Sequence, residues 1–184
     1  MRHTDPNAPA AGLPSAAGYR FALIVSRFNP AVTGALRDGA RLALSEAGVS
    51  EAEIDEMEVP GAFELPLAAR YAASTGRFDA VITLGCVVRG ATPHFEYISS
   101  AVAQGIMDAS GQTGVPVAFG VLTTDSLAQA EERAGPGRDN KGWEAAAAGI
   151  EMAILFRRLG RKPARVAAAP RAFGFKPAPA GGTE

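Results

Sequence analysis

The strongest constraint on this chain is an alternation. Four stretches of strand character, "YRFALIVS" (19–26), "EIDEMEVP" (53–60), "FDAVITLGCVV" (78–88) and "VPVAFGVL" (115–122), are each followed by a segment with apolar residues at helical spacing. Residues 29–48 carry Val32, Ala35, Leu36, Leu42 and Ala43, and Gly48 stops them. A second helix is predicted from about Leu65 to Thr75, with Gly76 as its left-handed cap. Phe95, Ile98, Val102 and Ile106 mark a third, and "SLAQAEERAG" and "KGWEAAAAGIEMAILFRRLG" two more. The first run is nearly continuous in apolar residues, as a strand covered on both faces requires, whereas the second reads as an edge strand closed by Pro60. Strand and helix in alternation mean right-handed crossovers and a parallel sheet. The expected fold is therefore a four-stranded, three-layer α/β/α sandwich of flavodoxin-like type.

The organisation around that body is simple. Its 184 residues suit a single domain, with an arm at 1–18, a body at 19–160 and an irregular tail at 161–184; both ends are rich in Pro, Ala and Gly. Phe173 and Phe175 offer the tail docking residues, although a solvated tail is the plainer reading. A net charge of -1 with scattered basic residues gives no footprint for nucleic acid. One cysteine rules out an internal disulfide and fits a reducing cytoplasm, and no run reaches membrane-spanning length. The N-terminus lacks the basic start and apolar stretch of a signal peptide.

In a parallel sheet every strand's carboxyl end lies on one rim, which is where open α/β sheets hold ligands. "SRFNP", "VPGAFELP", "GCVVRGATPHFE" and "GVLTTDS" all follow strands, so their polar residues share that rim. In the third, Thr92 is an expected N-cap and Pro93 suits a first helical turn. Gly90 and Ala91 leave the backbone open, and a helix start with free N–H groups is an anion site. The alternative is a turn and cap with no guest. His94 falls in the same first turn, where a neutral imidazole can take up and return a proton. Glu96 is near enough in sequence to orient the ring only if the helix start is irregular.

Other residues carry two readings each. Glu64 either accepts hydrogen bonds from a polyol or is a solvated first-turn acid. Phe28 either stacks on a flat heterocycle or caps the core. Arg133 either serves the helix dipole or grips phosphate. Lys141 reads as a helix-start residue, and Cys86 as a small core residue before a nucleophile. One histidine and one cysteine in the body are too few for a metal centre, and "SRFNP" is no dinucleotide fingerprint. The residues alone thus suggest metal-free chemistry on a phosphorylated substrate and a second, flatter one.

Taken together and in order, "RFN", "VPGAFELP", "LGCVVRGATPHFEYI", "FGVLTTDS", "ERAG" and "NKGWEAAAAGIEMA" resemble the 6,7-dimethyl-8-ribityllumazine synthase family, over about residues 19–158. The resemblance implies the penultimate step of riboflavin biosynthesis. There, 5-amino-6-(D-ribitylamino)uracil condenses with 3,4-dihydroxy-2-butanone 4-phosphate, releasing phosphate and water with no cofactor and no metal. By motif, Phe28 stacks on the uracil ring, Ala62, Phe63 and Glu64 line the ribityl chain, and Cys86, Val87 and Val88 present backbone groups to the pyrimidine. Ala91, Thr92 and Arg133 hold the phosphate, His94 shuttles protons, and Phe119 completes the pocket from a neighbouring subunit. The resemblance further implies a homopentamer with shared sites, in some members closed into an icosahedral shell, and riboflavin synthase as a protein partner. The turn "RAGPGRDNKG" is short, as in shell-forming members, and the long C-terminal tail is unusual for the family. Two rival readings are a non-catalytic lumazine-binding, flavin-binding or cage-forming protein of the same fold, and a cysteine hydrolase using Cys86 with His94.

Overall fold

The computed structural model describes residues 12–162. Four parallel strands, β1 (Phe21–Ser26), β2 (Ile54–Val59), β3 (Ala80–Val88) and β4 (Val117–Thr124), lie in the order β2-β1-β3-β4. The helices are α1 (Pro30–Glu46), α2 (Leu65–Ser74), α3 (His94–Thr113), α4 (Leu127–Arg133) and α5 (Lys141–Arg158), with short 3-10 turns at Glu51–Glu53 and Ala62–Glu64. Register is set by Phe21 opposite both Ile54 and Ala80, and by Val81 opposite Val117. The flavodoxin-like sandwich expected from the alternation is the fold observed.

Side-chain alternation along β1 and β3 divides the interior into two layers. Phe21, Leu23, Val25, Ile82 and Leu84 pack with Leu36, Leu44 and Ile150 from α1 and α5. Ala22, Ile24 and Val81 face Leu65, Ala69, Val102 and Ile106 from α2 and α3. All six residues of β1 are buried, so its apolar run leaves no polar face. β2 is the edge strand the sequence suggested, with Glu56, Met57 and Glu58 exposed.

The ends of the body are tied down. Within the expected arm, Ala16 is fully buried and its N–H donates to Ala47 O at 2.8 Å. At the other end Arg157 reaches the buried Asp79 carboxylate at 2.8 Å, and Arg161 donates to Phe78 O at 3.2 Å. Phe173 and Phe175 lie outside the described residues.

Candidate active site

Strand order reverses between β1 and β3, and the turns leaving these two strands diverge there to form a cleft of about 330 Å³. Phe28, Ala62, Phe63, Cys86, Val87, Val88, Thr92, His94, Phe95 and Ile98 are among its lining. A larger hollow of about 610 Å³ lies against the carboxyl ends of α2 and α3, bounded by Arg70, Tyr71 and Gln112. The smaller cleft alone sits at the strands' carboxyl rim, with an imidazole, exposed aromatic rings and an open glycine turn together.

The β1 turn supplies the aromatic wall. Phe28 is 67% exposed, which removes the reading that it caps the core. Its N–H donates to Ser26 Oγ at 3.3 Å. Asn29 adopts φ 59 and ψ 60, the one positive φ outside glycine among the described residues. Such a left-handed residue is uncommon, and strain of this kind concentrates at functional sites. Its Nδ2 donates to Cys86 O at 3.2 Å, joining the β1 turn to the end of β3. In the sequence, the signal for this turn is an asparagine, a side chain tolerant of that conformation, shortly after a strand.

From β2 the chain passes through Gly61 into the Ala62–Glu64 turn. Ala62 is buried and Phe63 is 59% exposed against the cleft. Glu64 is not part of the cleft wall, but its Oε2 lies 3.0 Å from where a Cβ on Gly61 would stand, so it borders the site.

The β3 turn differs from expectation in two respects. Helix α3 begins at His94, with Pro93 rather than Thr92 at the cap and no side-chain cap bond. Pro93 already has φ -63, and its carbonyl accepts from Glu96 N at 3.1 Å, so the first turn closes without the threonine. Thr92 therefore lines the cleft with its hydroxyl unused by the helix. Glu96 does not approach His94 as an orienting partner; Arg89 pairs with it instead and draws its carboxyl below the usual range. Gly90 has open space where a Cβ would be, and Ala91 beside it is exposed.

Cys86 is 2% exposed, and burial pushes its thiol up against a smaller opposing effect of the Asn29 contact. A buried, protonated thiol is a poor nucleophile. That weighs against the cysteine-hydrolase reading.

Two expected site residues stand apart from this cleft. Phe119 is 45% exposed on the outer edge of β4, lining a separate groove with Lys141 and Glu144. Arg133 ends α4, where its guanidinium donates to Gln129 O at 3.1 Å. Among the described residues no three His, Cys, Asp or Glu side chains are grouped as metal ligands, and no helix is long and apolar enough to cross a membrane.

A doubly wound parallel sheet with a cleft at its switch point defines an α/β protein of the flavodoxin-like class. Residues 18–157 match the family model described as 6,7-dimethyl-8-ribityllumazine synthase. The chain is also similar to the 6,7-dimethyl-8-ribityllumazine synthase of Syntrophus aciditrophicus (strain SB), 55% identical over 144 residues that cover 78% of this chain and 94% of that protein. The chain belongs to the 6,7-dimethyl-8-ribityllumazine synthase family.

Proposed function

We propose that this protein joins 5-amino-6-(D-ribitylamino)uracil to 3,4-dihydroxy-2-butanone 4-phosphate, giving 6,7-dimethyl-8-ribityllumazine, phosphate and water. Family membership supports the reaction, and one observation carries its location: His94, Phe28 and the open Gly90–Thr92 turn share a single cleft. In this reading the uracil ring stacks on Phe28 and takes backbone contacts from Cys86, Val87 and Val88. Ala62, Phe63 and Glu64 line the ribityl chain, and Ala91 and Thr92 seat the phosphate at the start of α3, where helix N–H groups favour an anion.

The substrate's 5-amino group attacks the ketone and expels water, forming an imine. Loss of a proton from the neighbouring carbon expels phosphate, tautomerisation yields a second carbonyl, and the ribitylamino nitrogen closes the ring with loss of another water. His94 is the group placed to move these protons. Nothing in the sequence of steps needs a protein nucleophile, so holding the two reactants together supplies much of the acceleration.

Phe119 and Arg133 fit this scheme as contributions to a neighbour's cleft, in a homopentamer with shared sites. Exposed Phe119 on an edge strand, with Met152 and Leu155 exposed on α5, supports such a contact.

The test is to mix the two substrates and follow lumazine fluorescence. His94→Ala is expected to slow turnover by about 10–10³-fold, the range of a lost proton-transfer group, while leaving some activity. Complete loss would indicate covalent catalysis and overturn the scheme. Arg133→Ala is expected to raise the KM for the phosphorylated ketone by roughly tenfold or more, as loss of a charged hydrogen bond does. An unchanged KM removes that assignment.

A further inference from the structure

The turn that carries Gly90, Ala91 and Thr92 is tied to nothing through its own atoms: among the described residues none of the three makes a hydrogen bond. Its position is therefore set by what flanks it. On the β3 side Arg89 N donates to Thr124 O at 2.9 Å, extending the β3–β4 ladder by one step. The Arg89 side chain then spans three elements. Its Nε donates to Asp125 Oδ1 at 2.6 Å in the β4–α4 turn, and its other arm pairs with Glu96 in the first turn of α3. Its guanidinium carbon also lies 4.3 Å from the centroid of the Phe95 ring, which lines the cleft.

We propose that Arg89 is a positioning residue, a brace that fixes the Gly90–Thr92 turn against β4 and α3 and thereby sets affinity for the phosphoryl group without touching it. The inference rests on reading that turn as the phosphate seat. Charge argues against Arg89 as a direct ligand. One guanidinium between two carboxylates makes a net negative cluster, which repels an anion rather than attracting it. Its Nε and Nη1 are engaged by Asp125 and Glu96, and the hydrogen bonds to Asp125, then to Glu96, hold the guanidinium more firmly protonated. A brace also needs fixed direction, and a planar fork backed by a ring supplies that where an ammonium would not.

The decisive variant is Asp125→Ala. Asp125 is exposed, so its removal does not threaten folding. If Arg89 acted through its charge, unmasking it would tighten anion binding. If it acts as a brace, losing its anchor loosens the turn and weakens anion binding.

Titration of the assembled protein with inorganic phosphate, beside steady-state kinetics with both substrates, separates the two. We expect Asp125→Ala to weaken phosphate about two- to fivefold, the scale of one exposed ion pair. Arg89→Gln, which loses both pairs and the ring contact, should weaken phosphate more than Asp125→Ala, with Arg89→Lys in between. The KM for the pyrimidine should stay within about twofold throughout, since its seat lies on Phe28 and the end of β3. Tighter or unchanged phosphate binding in Asp125→Ala overturns the brace. A wild-type protein that makes lumazine but binds no phosphate at this turn removes the seat, and the brace with it. Absence of lumazine from wild type defeats the functional reading itself.

Discussion

At the scale of single residues, close packing turns on a few atoms. Gly142, at the start of α5, lies against α1 so tightly that a Cβ would stand 1.9 Å from Leu36 O. Neither helix can yield there, because Asn140 beside it donates to Ala35 O at 3.0 Å and Ala134 O at 2.9 Å and accepts from Gly142 N at 2.8 Å. Gly142→Ala is therefore expected to destabilise by about 3 kcal/mol or more, measured by urea unfolding. Gly34, in the same α1, has open space at that position, and Gly34→Ala should stabilise by about 0.5–1 kcal/mol through helix propensity. Equal effects from the two substitutions would contradict the packing argument. The sequence shows two glycines in helical segments and cannot tell them apart, since the difference lies in which backbone passes opposite.

At the scale of elements, local chemistry and tertiary demand meet at the ends. The 3-10 turn before β2 is closed by a reciprocal box, with Ser50 N donating to Glu53 Oε2 at 2.9 Å. That bond, ahead of the opposing effect of burial, draws the Glu53 carboxyl below its ordinary range. A lowered folded value means the contribution is complete above the unfolded carboxylate range and is lost as pH falls through the folded one. Glu53→Gln should thus cost a few tenths to about 1 kcal/mol at neutral pH, and nearly nothing in strong acid. A pH-independent difference would show that shape rather than charge matters there. The "ELP" and "ATP" helix starts were legible because proline fits a first turn or its cap. Which residue sits in the cap of α3 was not, because Pro93 and the following amide close the turn without the Thr92 hydroxyl.

At the scale of the whole molecule, the two rims of the sheet do different work. The carboxyl rim holds the cleft; the opposite rim is clasped by Asp79, 1% exposed, whose carboxylate takes Arg157 at 2.8 Å and Arg20 N at 2.9 Å. Asp79→Ala leaves those donors without their acceptor and should cost about 2–4 kcal/mol, discounted because Arg157 retains some solvent. Turnover at room temperature should be unaffected, since the clasp is a strand's length from the cleft; a matching loss of activity in still-folded protein would refute that separation. Outward, Tyr71, Tyr97, Met107 and Phe119 leave apolar area that a second copy can cover. Phe119→Glu is accordingly expected to lower the mass seen by light scattering and the activity together. Loss of neither would argue against shared sites.

The layers, the parallel sheet and the rim on which the cleft opens were legible in the order of the residues. Apolar periodicity and strand–helix alternation are local signals, and handed crossovers leave few ways to assemble them. Phe28, Thr92 and His94 stood out as well, because each lies in a segment of distinctive composition between a strand and the next helix or at that helix's start. Packing of distant segments was needed to show that Glu96 serves Arg89 rather than His94, that Asn29 bonds across to Cys86 O, and that Phe119 and Arg133 stand away from their own chain's cleft. Those outcomes depend on distances between segments far apart along the chain, and no local pattern encodes such distances.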